Sequence, residues 1–368
     1  MQSSDTPRSP SDRPARKAFN SVDDDWYSEE MDDVDHKLLT LITENPRIHL
    51  RELARRLGVS RQAVHQRMKA LTEMGVIKGT IAGISIPYLD AVPVLVYGRS
   101  NTASVERTLN KLGDSELTRR VLVTGGNHFY VVGFLRRISE LGGYSEFVKR
   151  AAEMSEPMVG VYNLDNGLMR GYSVDGGGRR RKQTYRELSP LDLKIIASLR
   201  DNARRPIGDI ADIVGVTPKT VRRHLEDMIS DGSLDMSAPQ DLASGGDIFT
   251  LVHVHLKEGA NKEKVGRKLL SKYPFADQYV RTFSNIPGFL VWVLWSDAMP
   301  EIRRVLRDVN EDDDVTAVMA NFVYLERLYS TWRDRLPERQ EAASGMRYMG
   351  GLRPRPAKTI HSRRPGAG

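Results

Sequence analysis

Cationic and amide side chains gather on one face of two short helical stretches, where they are suited to bind an anionic partner. Arginine, lysine, glutamine and histidine donate hydrogen bonds to phosphate oxygens and to base edges of DNA. Helical spacing places Val64 and Leu71, and Val221 and Leu225, on the opposite, inward face. The candidate DNA-contacting residues are Ser60, Arg61, Gln62, His65, Gln66, Lys69, Thr217, Lys219, Thr220, Arg222 and Arg223.

The turn that precedes each stretch has the same form, Leu57-Gly58-Val59-Ser60 and Val214-Gly215-Val216-Thr217. Glycine ends one helix in a left-handed conformation, and the hydroxyl caps the next helix. A glycine-containing turn between two short helices is typical of a helix-turn-helix, whose second helix enters the major groove. An ordinary solvated helix face explains the charges equally well, but it does not explain a capped turn that occurs twice.

The unit around each turn is duplicated without a gap at an offset of 157 residues. Residues 35–77 and 192–234 are identical at nine of 43 positions, and most other apolar positions stay apolar. Ser189 and Asp192 predict a capping box where the second unit begins, and Asp32 and Asp35 can do the same in the first. Such a repeat predicts that one DNA-reading unit was duplicated within one chain.

Each unit is followed by a region with the periodicity of a mixed sheet. The glycines Gly75 and Gly232 lead into short stretches that predict a hairpin wing in each copy. Strand and helix patterns then recur in the order βαββαβ, the ferredoxin-like split βαβ arrangement. The predicted fold class is α+β, with two tandem copies of a winged helix-turn-helix followed by a ferredoxin-like βαββαβ domain. Helical residues are expected to continue after the last strand to about residue 335.

These patterns divide the chain into seven segments. In chain order they are a disordered N-terminal arm (1–30), a winged helix-turn-helix (31–88), a βαββαβ domain (91–165), a basic Gly/Arg linker (166–187), a second winged helix-turn-helix (188–240), a second βαββαβ domain (247–335) and a basic disordered tail (336–368). Arginines of the linker and tail can follow phosphates, which adds salt dependence without sequence information. Solvated disorder explains them equally well.

Composition restricts the class of protein. The 368 residues include no cysteine, which excludes disulfides, thiolate metal sites and thiol catalysis. No apolar stretch is long enough to predict a membrane span, and the Ser/Pro/Arg-rich start is unlike a secretory signal. We therefore expect a cytoplasmic protein. The formal net charge of +7 is compatible with a polyanionic partner.

These residues resemble the Lrp/AsnC family of feast/famine regulators over about 31–165 and 188–330. In the first copy the matching residues are Asp35-x-Lys37-Leu38-Leu39, Asn45-x-Arg47, Glu52-Leu53-Ala54, Gly58-Val59-Ser60, Arg67, Leu71 and Gly75-Val76-Ile77-Lys78. In the second copy they are Asp192, Lys194-Ile195-Ile196, Asn202-Ala203-Arg204 and Gly215-Val216. The second copy departs at His224, which stands where the first has Arg67, and at Ser233-Leu234-Asp235.

The resemblance implies a transcription regulator that binds double-stranded DNA and often senses an amino acid. It also implies sheets that pair face to face, here within one chain, and self-association through the βαββαβ domains. Family ligands bind near the turn between the second and third strands, so the effector candidates are Gly125, Gly126, Asn127, Ser284 and Asn285. The usual acidic residue is not evident in either turn, and hairpins require such turns in any case.

Two other functions use the same architecture. Enzymes that decarboxylate sirohaem resemble two fused copies of this domain pair, but the His-Asn-Tyr cluster and Tyr-Asn-Trp-Phe-like stretch that mark them are not found here. The other alternative is an architectural chromatin protein with little sequence preference. No GxSxG, HExxH or Walker A motif occurs. We therefore expect no enzymatic activity, no catalytic residue and no cofactor.

Two pairs of residues have competing interpretations. His253 and His255 share one face of a predicted strand, where two imidazoles can bind a metal ion. They are more often half-buried sheet residues, and we predict no metal site. Trp292 and Trp295 are expected in the core or an interface, and a stacking platform for nucleic-acid bases is the alternative.

Overall fold

The computed structural model describes residues 31–163, 185–273, 280–296 and 298–337. The predictions for the N-terminal arm, for most of the basic linker and for most of the tail lie outside the described residues. Within the described part, no helix is both long and apolar enough to cross a membrane.

Two three-helix units are present, one in each half of the chain, with elements numbered in chain order. They comprise α1 (Asp33–Glu44), α2 (Leu50–Leu57) and α3 (Arg61–Glu73), and α6 (Pro190–Leu199), α7 (Ile207–Val214) and α8 (Pro218–Ser230). Both opening helices have the predicted capping box: the side chain of Asp32 accepts from the backbone N–H of Asp35, and that of Ser189 from Asp192. Capping is a local interaction, which is why the sequence predicts it.

One strand follows each unit, and the two strands pair with each other. β1 (Ile81–Ile84) and β6 (Leu234–Ser237) form an antiparallel pair in which Ile81 lies opposite Ser237. The prediction of a separate hairpin wing in each copy is therefore wrong. Each copy obtains its partner strand from the other copy, because both belong to one chain. We call α1–α3, α6–α8, β1 and β6 together the head.

The βαββαβ order is confirmed in both halves. The first half contains β2 (Val92–Arg99), α4 (Val105–Gly113), β3 (Thr118–Thr124), β4 (His128–Leu135), α5 (Leu141–Ala151) and β5 (Met158–Val161). The second half contains β7 (Ile248–Leu256), α9 (Lys262–Lys272), β8 (Val280–Thr282), β9 (Phe289–Ser296), α10 (Met299–Asn310) and β10 (Val315–Leu328). The expected helical residues after the last strand are confirmed only as a short 3-10 helix at Trp332–Arg335, because β10 extends to Leu328.

These eight strands form one sheet in the order β5-β2-β4-β3-β10-β7-β9-β8. The halves join through β10, which pairs first with β7 and then with β3. The two edge strands also meet, since Tyr162 and Phe283 form a β-bridge and the N–H of Asn163 donates to the carbonyl of Thr282 at 2.8 Å. The sheet therefore folds back on itself and covers its own edges, which limits edge-to-edge aggregation.

The inner faces of the folded sheet pack against each other. Leu95 and Tyr130 of the first half share a buried cluster with Leu251 and Phe289 of the second half. Helices α4 and α5 cover the outer face of the first half, and α9 and α10 cover that of the second. Face-to-face pairing within one chain is thus confirmed, and we call this body the sandwich. Trp292 is buried in its core, as one interpretation predicted.

A buried histidine lies at the centre of this inner interface. The Nε2 atom of His253 is 2.7 Å from the hydroxyl oxygen of Tyr130, and the ring of Tyr97 packs edge-on against it at 4.9 Å. Burial, assisted by the nearby His255 and His128, lowers the pKa of His253 to about 4. The imidazole is therefore neutral at pH 7. Among the described residues, no three or more His, Asp or Glu side chains are arranged to hold a metal ion.

Acid should destabilise the sandwich through His253. The pKa of His253 is about 4 when folded and about 6.5 when unfolded, so protonation favours the unfolded chain. The contribution of His253 to the free energy of unfolding is fully present above pH ~6.5. It is lost as the pH falls from about 6.5 to about 4, which lowers the free energy of unfolding by about 3 kcal/mol. Urea unfolding followed by tryptophan fluorescence across this range should show the loss in the native chain.

The variant His253→Phe should abolish most of this pH dependence, whereas the exposed His65→Ala should keep it. A slope in His253→Phe equal to that of the native chain would show that another group is responsible.

Candidate DNA-binding surface

The predicted corner between the two helices is present in both copies. Gly58 and Gly215 end α2 and α7 in the left-handed conformation, with φ of 69° and 72°. The Ser60 hydroxyl accepts from the N–H of Ala63 at 3.0 Å, and the Thr217 hydroxyl accepts from that of Thr220 at 3.2 Å. Ser60 and Thr217 therefore act as caps that set where each third helix begins.

The third helix of each unit exposes the predicted side chains. Burial of Val64 and Leu71 in α3, and of Val221, Leu225 and Met228 in α8, fixes the rotation of each helix about its axis. The side chains left on the exposed face are Arg61, Gln62, His65, Gln66 and Lys69 in α3 and Lys219, Arg222 and Arg223 in α8; Thr220 is half-buried. Each exposed set lies on one face of its helix.

A side-chain contact with an aspartate attaches each third helix to the first helix of its unit. Arg67 donates to Asp35 at 2.8 Å and also contacts Asp32. At the matching position of the second copy, His224 Nδ1 lies 2.7 Å from Asp192. His224 thus keeps the contact although the residue type differs.

The carboxylate of Asp192 is completely buried and stays charged. Burial raises its pKa, but hydrogen bonds from Arg186, His224 and Ser189 outweigh burial and hold the pKa well below its usual range. Because these hydrogen bonds compensate its buried charge, the Asp192 carboxylate fixes the position of α6 against α8.

Two arginines hold the copies together in a reciprocal way that sequence reasoning missed. Arg47, in the loop after α1, donates to the carbonyl of Ala203. Arg204, in the same loop of the second copy, donates to the carbonyls of Pro46 and Ile48, both at 2.8 Å. Each arginine therefore satisfies backbone carbonyls of the other copy. We call these contacts the arginine clamp.

The signal for the clamp was present in the repeat. Arg47 and Arg204 are one of the nine identical pairs, as are Asn45 and Asn202. Each asparagine accepts from the backbone N–H of its arginine, at 3.0 and 2.9 Å, and so shapes the loop that presents it. Because both copies have an arginine at this position outside the recognition helix, the repeat indicated a structural contact that both copies make.

The β1–β6 pair continues the same reciprocal arrangement. The N–H of Lys78 donates to the carbonyl of Pro239 at 2.9 Å, and that of Asp241 donates to Val76 at 2.8 Å. Together with the arginine clamp, this backbone pairing joins the two helix-turn-helix units into one body. The separation between α3 and α8 is consequently set by the fold.

The helix before the recognition helix has opposite charge in the two copies. The corresponding residues of α2 and α7 are Arg51 and Gly208, Arg55 and Asp212, and Arg56 and Ile213. All three arginines are exposed, and Ile213 is 56% exposed. Hydrogen bonds from Arg55 and Arg56 lower the pKa of Glu52 to about 2. The first copy thus presents a cationic helix and the second an acidic and apolar one.

The predicted effector turns are held by their own asparagines. The Asn127 amide donates to the carbonyls of Ser100 and Thr102. The Asn285 amide bonds the backbone of β5, accepting from Val161 and donating to Val159, both at 2.8 Å. Gly125, Gly126, Ser284 and Asn285 are exposed, and Asn127 is half-buried. Effector binding at these turns stays a prediction, while both amides have a structural role.

Some known proteins resemble about a third of this chain, and others resemble most of its length. A family model described as winged helix-turn-helix DNA-binding matches residues 31–78 and 188–232. The HTH-type transcriptional regulator Ptr1 of Methanocaldococcus jannaschii is 35% identical over 133 residues, covering 36% of this chain and 86% of that protein. The regulator LrpA of Pyrococcus horikoshii is 28% identical over 111 residues, covering 30% of this chain and 79% of that protein.

One solved structure shares the tandem arrangement. The crystal structure of the siroheme decarboxylase NirDL aligns with a TM-score of 0.53 and 14% identity, covering 85% of this chain and all of that one. At this identity the likeness shows the fold alone. The regulators match about a third of this chain along most of their own length, and the capped, exposed recognition helices are present twice. The chain belongs to the Lrp/AsnC family of DNA-binding transcription regulators.

Proposed function

We propose that the chain binds a two-part DNA operator through α3 and α8, with the first copy supplying most of the phosphate contacts. The exposed face of the two recognition helices carries this proposal. Among the described residues, Arg61, Arg222 and Arg223 form no ion pair, so their guanidinium groups are available to base edges and phosphates. Of the cations on this face, Lys69 has a loose ion pair with Glu73 at 3.6 Å.

The rigid head determines the form of the operator. Because the arginine clamp and the β1–β6 pair fix α3 relative to α8, the two half-sites must lie at one separation on the duplex. The two exposed faces differ at nearly every position, so the half-sites differ in sequence. A single chain therefore recognises an asymmetric operator without needing a second copy.

The two copies should contact the DNA backbone unequally. In a helix-turn-helix, the helix before the recognition helix crosses the phosphate backbone. Arg51, Arg55 and Arg56 of α2 are suited to that position. Asp212 of α7 would repel phosphates there, and Ile213 offers them no hydrogen bond. The second copy therefore depends on Lys219, Arg222 and Arg223 of α8 for its contacts.

Salt dependence distinguishes these roles. DNA fragments selected from genomic DNA by the full chain should bind Arg55→Ala/Arg56→Ala about tenfold more weakly at low salt, with the slope of log affinity against log salt reduced by about 2. The matched Asp212→Ala/Ile213→Ala variant should neither weaken binding nor reduce the slope, and loss of the repulsive carboxylate should strengthen binding at low salt. Equal losses from the two alanine pairs, or an unchanged slope in the arginine variant, would contradict the unequal roles.

Further assembly has to use surfaces outside the inner sheet faces. Those faces pack against each other within one chain, and β5 bridges to β8. We propose that single chains bind DNA and that any self-association uses the outer helices. Light scattering of the protein with and without DNA measures this, and an obligate eight-chain particle would contradict it.

We further propose that the chain acts without catalysis, although it shares its fold with a siroheme decarboxylase. The buried rings of His253 and Tyr130 and the half-buried ring of Tyr97 contact one another between the sheets and are already used in packing. Absorbance of the purified protein near the haem band tests this point. A bound tetrapyrrole that resists gel filtration would contradict it.

A further inference from the structure

The described part of the chain ends in a short segment that lies against the head. We call residues 331–337 the strap. Arg333 of the strap is 4% exposed, and its guanidinium group donates to the carboxylate of Asp235 in β6 at 2.9 Å. Leu336 packs against the buried core of the second helix-turn-helix unit, and Pro337 is buried. The chain therefore leaves the described structure at the second copy of the head.

Two further contacts hold the strap in this position. The side chain of Asp334 accepts hydrogen bonds from the backbone N–H and the hydroxyl of Thr331, at 2.7 and 3.0 Å. The indole of Trp332 donates to the carbonyl of Phe134 in β4 at 2.7 Å. Because Arg333 bonds the head and Trp332 bonds the sandwich, the strap cannot shift relative to either body without losing a hydrogen bond. The point from which the chain continues is consequently set by the fold.

The residues after the strap are strongly basic. We call residues 338–368 the C-terminal extension. It contains seven arginines and lysines and two glutamates, so it carries five of the seven net positive charges of the chain. Its last 18 residues contain five cations and no acidic residue, and these cations are Arg353, Arg355, Lys358, Arg363 and Arg364. Unopposed cations of this kind are suited to bind DNA phosphates without reading sequence.

The second copy is the one that has carboxylates near its recognition helix where the first copy has cations. Asp212 of α7 stands where the first copy has Arg55, and Glu226 of α8 stands where the first copy has Lys69. All four side chains are exposed. Carboxylates repel phosphates, so the second copy has fewer groups that can bind the DNA backbone. The basic C-terminal extension thus begins at the copy whose own helices offer fewer phosphate contacts.

The C-terminal extension is long enough to reach DNA at the second half-site. Arg353 follows Pro337 by 16 residues, and a chain spans at most about 3.5 Å per residue, which gives a limit of about 55 Å. The 13 residues of α8 have a length of about 20 Å. The cations can therefore reach DNA that lies along α8. A covalent tether of this length also raises their effective concentration next to that DNA.

We propose that the C-terminal extension binds DNA phosphates beside the second half-site. Its cations add to the contacts of α8 and take the place of those that α2 supplies in the first copy. Because phosphates carry no sequence information, the extension raises affinity and salt dependence and leaves the choice of operator to α3 and α8. This inference rests on the proposed DNA binding and adds a third DNA-contacting element to it.

Removing the charges of the C-terminal extension tests the contact. The full-length variant Arg353→Gln/Arg355→Gln/Lys358→Gln/Arg363→Gln/Arg364→Gln keeps the strap unchanged. It should bind the DNA fragments selected by the native chain about tenfold or more weakly at low salt, with the slope of log affinity against log salt reduced by about 3 or more. Discrimination between the operator and variants of each half-site should stay unchanged, because only phosphate contacts are lost.

The matched control removes the same number of charges from the sandwich. The variant Arg107→Gln/Arg137→Gln/Arg267→Gln/Arg303→Gln/Arg307→Gln changes five exposed arginines and should leave the salt slope nearly native. Equal losses in the two variants would show a general effect of net charge and would overturn the contact, as would a native slope in the extension variant. Tighter DNA binding by the extension variant would indicate that the extension covers the acidic α7 and competes with DNA, which also contradicts the proposal.

The position of the extension on DNA can be mapped directly. The chain has no cysteine, so Ser362→Cys provides a single attachment point for an iron chelate that cleaves nearby DNA strands. Cleavage is expected beside the half-site whose recognition is lost in Arg222→Ala/Arg223→Ala. The control Ser139→Cys, at an exposed position of the sandwich, should give no such cleavage. Cleavage beside the first half-site, equally beside both half-sites, or nowhere would overturn the placement.

The two levels of the proposal fail in different ways. Absence of DNA binding by the native chain would defeat the proposed function itself. Native DNA binding, together with a native salt slope in the extension variant and no cleavage from Ser362→Cys, would defeat only the role of the C-terminal extension.

Discussion

Replacing Arg222 and Arg223 together with alanine should weaken operator binding about a hundredfold while the fold stays intact. Both side chains are exposed on α8, whereas Val221, Leu225 and Met228 on its opposite face hold the helix in place. Loss of an arginine that contacts a base costs about 1–3 kcal/mol of binding free energy and relaxes specificity at one base position. Fluorescence anisotropy on operator DNA and on variants of each half-site measures both effects.

The salt series assigns the contacts to bases or phosphates. If the arginines read bases, discrimination at the second half-site is lost and the salt slope stays nearly the same; if they bind phosphates, the slope falls by about 2. Arg61→Ala/Gln62→Ala should relax the other half-site in the same way. The matched control is Glu226→Ala/Asp227→Ala, which removes exposed carboxylates from the same helix and should not weaken binding. Native affinity in Arg222→Ala/Arg223→Ala would remove the second copy from DNA reading.

Removing both arginines of the clamp, with Arg47→Ala and Arg204→Ala, should destabilise the head by about 4 kcal/mol. The carbonyls of Pro46, Ile48 and Ala203 lose their donors, and each unsatisfied buried group costs about 1–3 kcal/mol. Because α3 and α8 are then held less rigidly, binding to the complete operator should fall more than binding to one half-site.

Two signals separate the head from the sandwich in urea unfolding. Trp292 and Trp295 lie in the sandwich, and the indole of Trp332 donates to the carbonyl of Phe134 in β4 at 2.7 Å. The fluorescence of these three tryptophans therefore follows mainly the sandwich, while far-UV circular dichroism also detects the head helices. In the clamp variant the dichroism transition should begin at lower urea than the fluorescence transition. Arg51→Ala/Arg303→Ala removes two exposed arginines and should leave both transitions in place. Coincident transitions with native midpoints would contradict the role of the clamp.

Much of the fold was predictable because its determinants are local. The caps at Ser60 and Thr217 and the glycine corners at Gly58 and Gly215 depend on neighbours within a few residues. The same holds for the inward faces of α3 and α8 and for the βαββαβ order. Chain periodicity and capping residues report such features directly. The exposed position of the candidate DNA-contacting side chains followed from the same pattern.

Features that join the two copies were not predictable in this way. The hairpin wings were predicted wrongly, because β1 finds its partner in β6, about 150 residues away in the chain. Nothing near Arg47 in sequence indicates that its acceptor is Ala203, and nothing near Asn285 indicates that its amide bonds the backbone of β5. The neighbouring residues in the sequence do not indicate which distant backbone group will form the hydrogen bond.

The amino-acid sequence by itself determined that two helix-turn-helix readers exist, where each begins and which side chains each exposes. The tertiary structure decided that the readers are fixed to each other, that the sheets close on themselves and that the strap brings the end of the described chain to the head. The physical reason is the range of the interactions: capping and periodic burial act within one or two helical turns, whereas arginine–carbonyl contacts and strand pairing between copies exist only after the chain has folded.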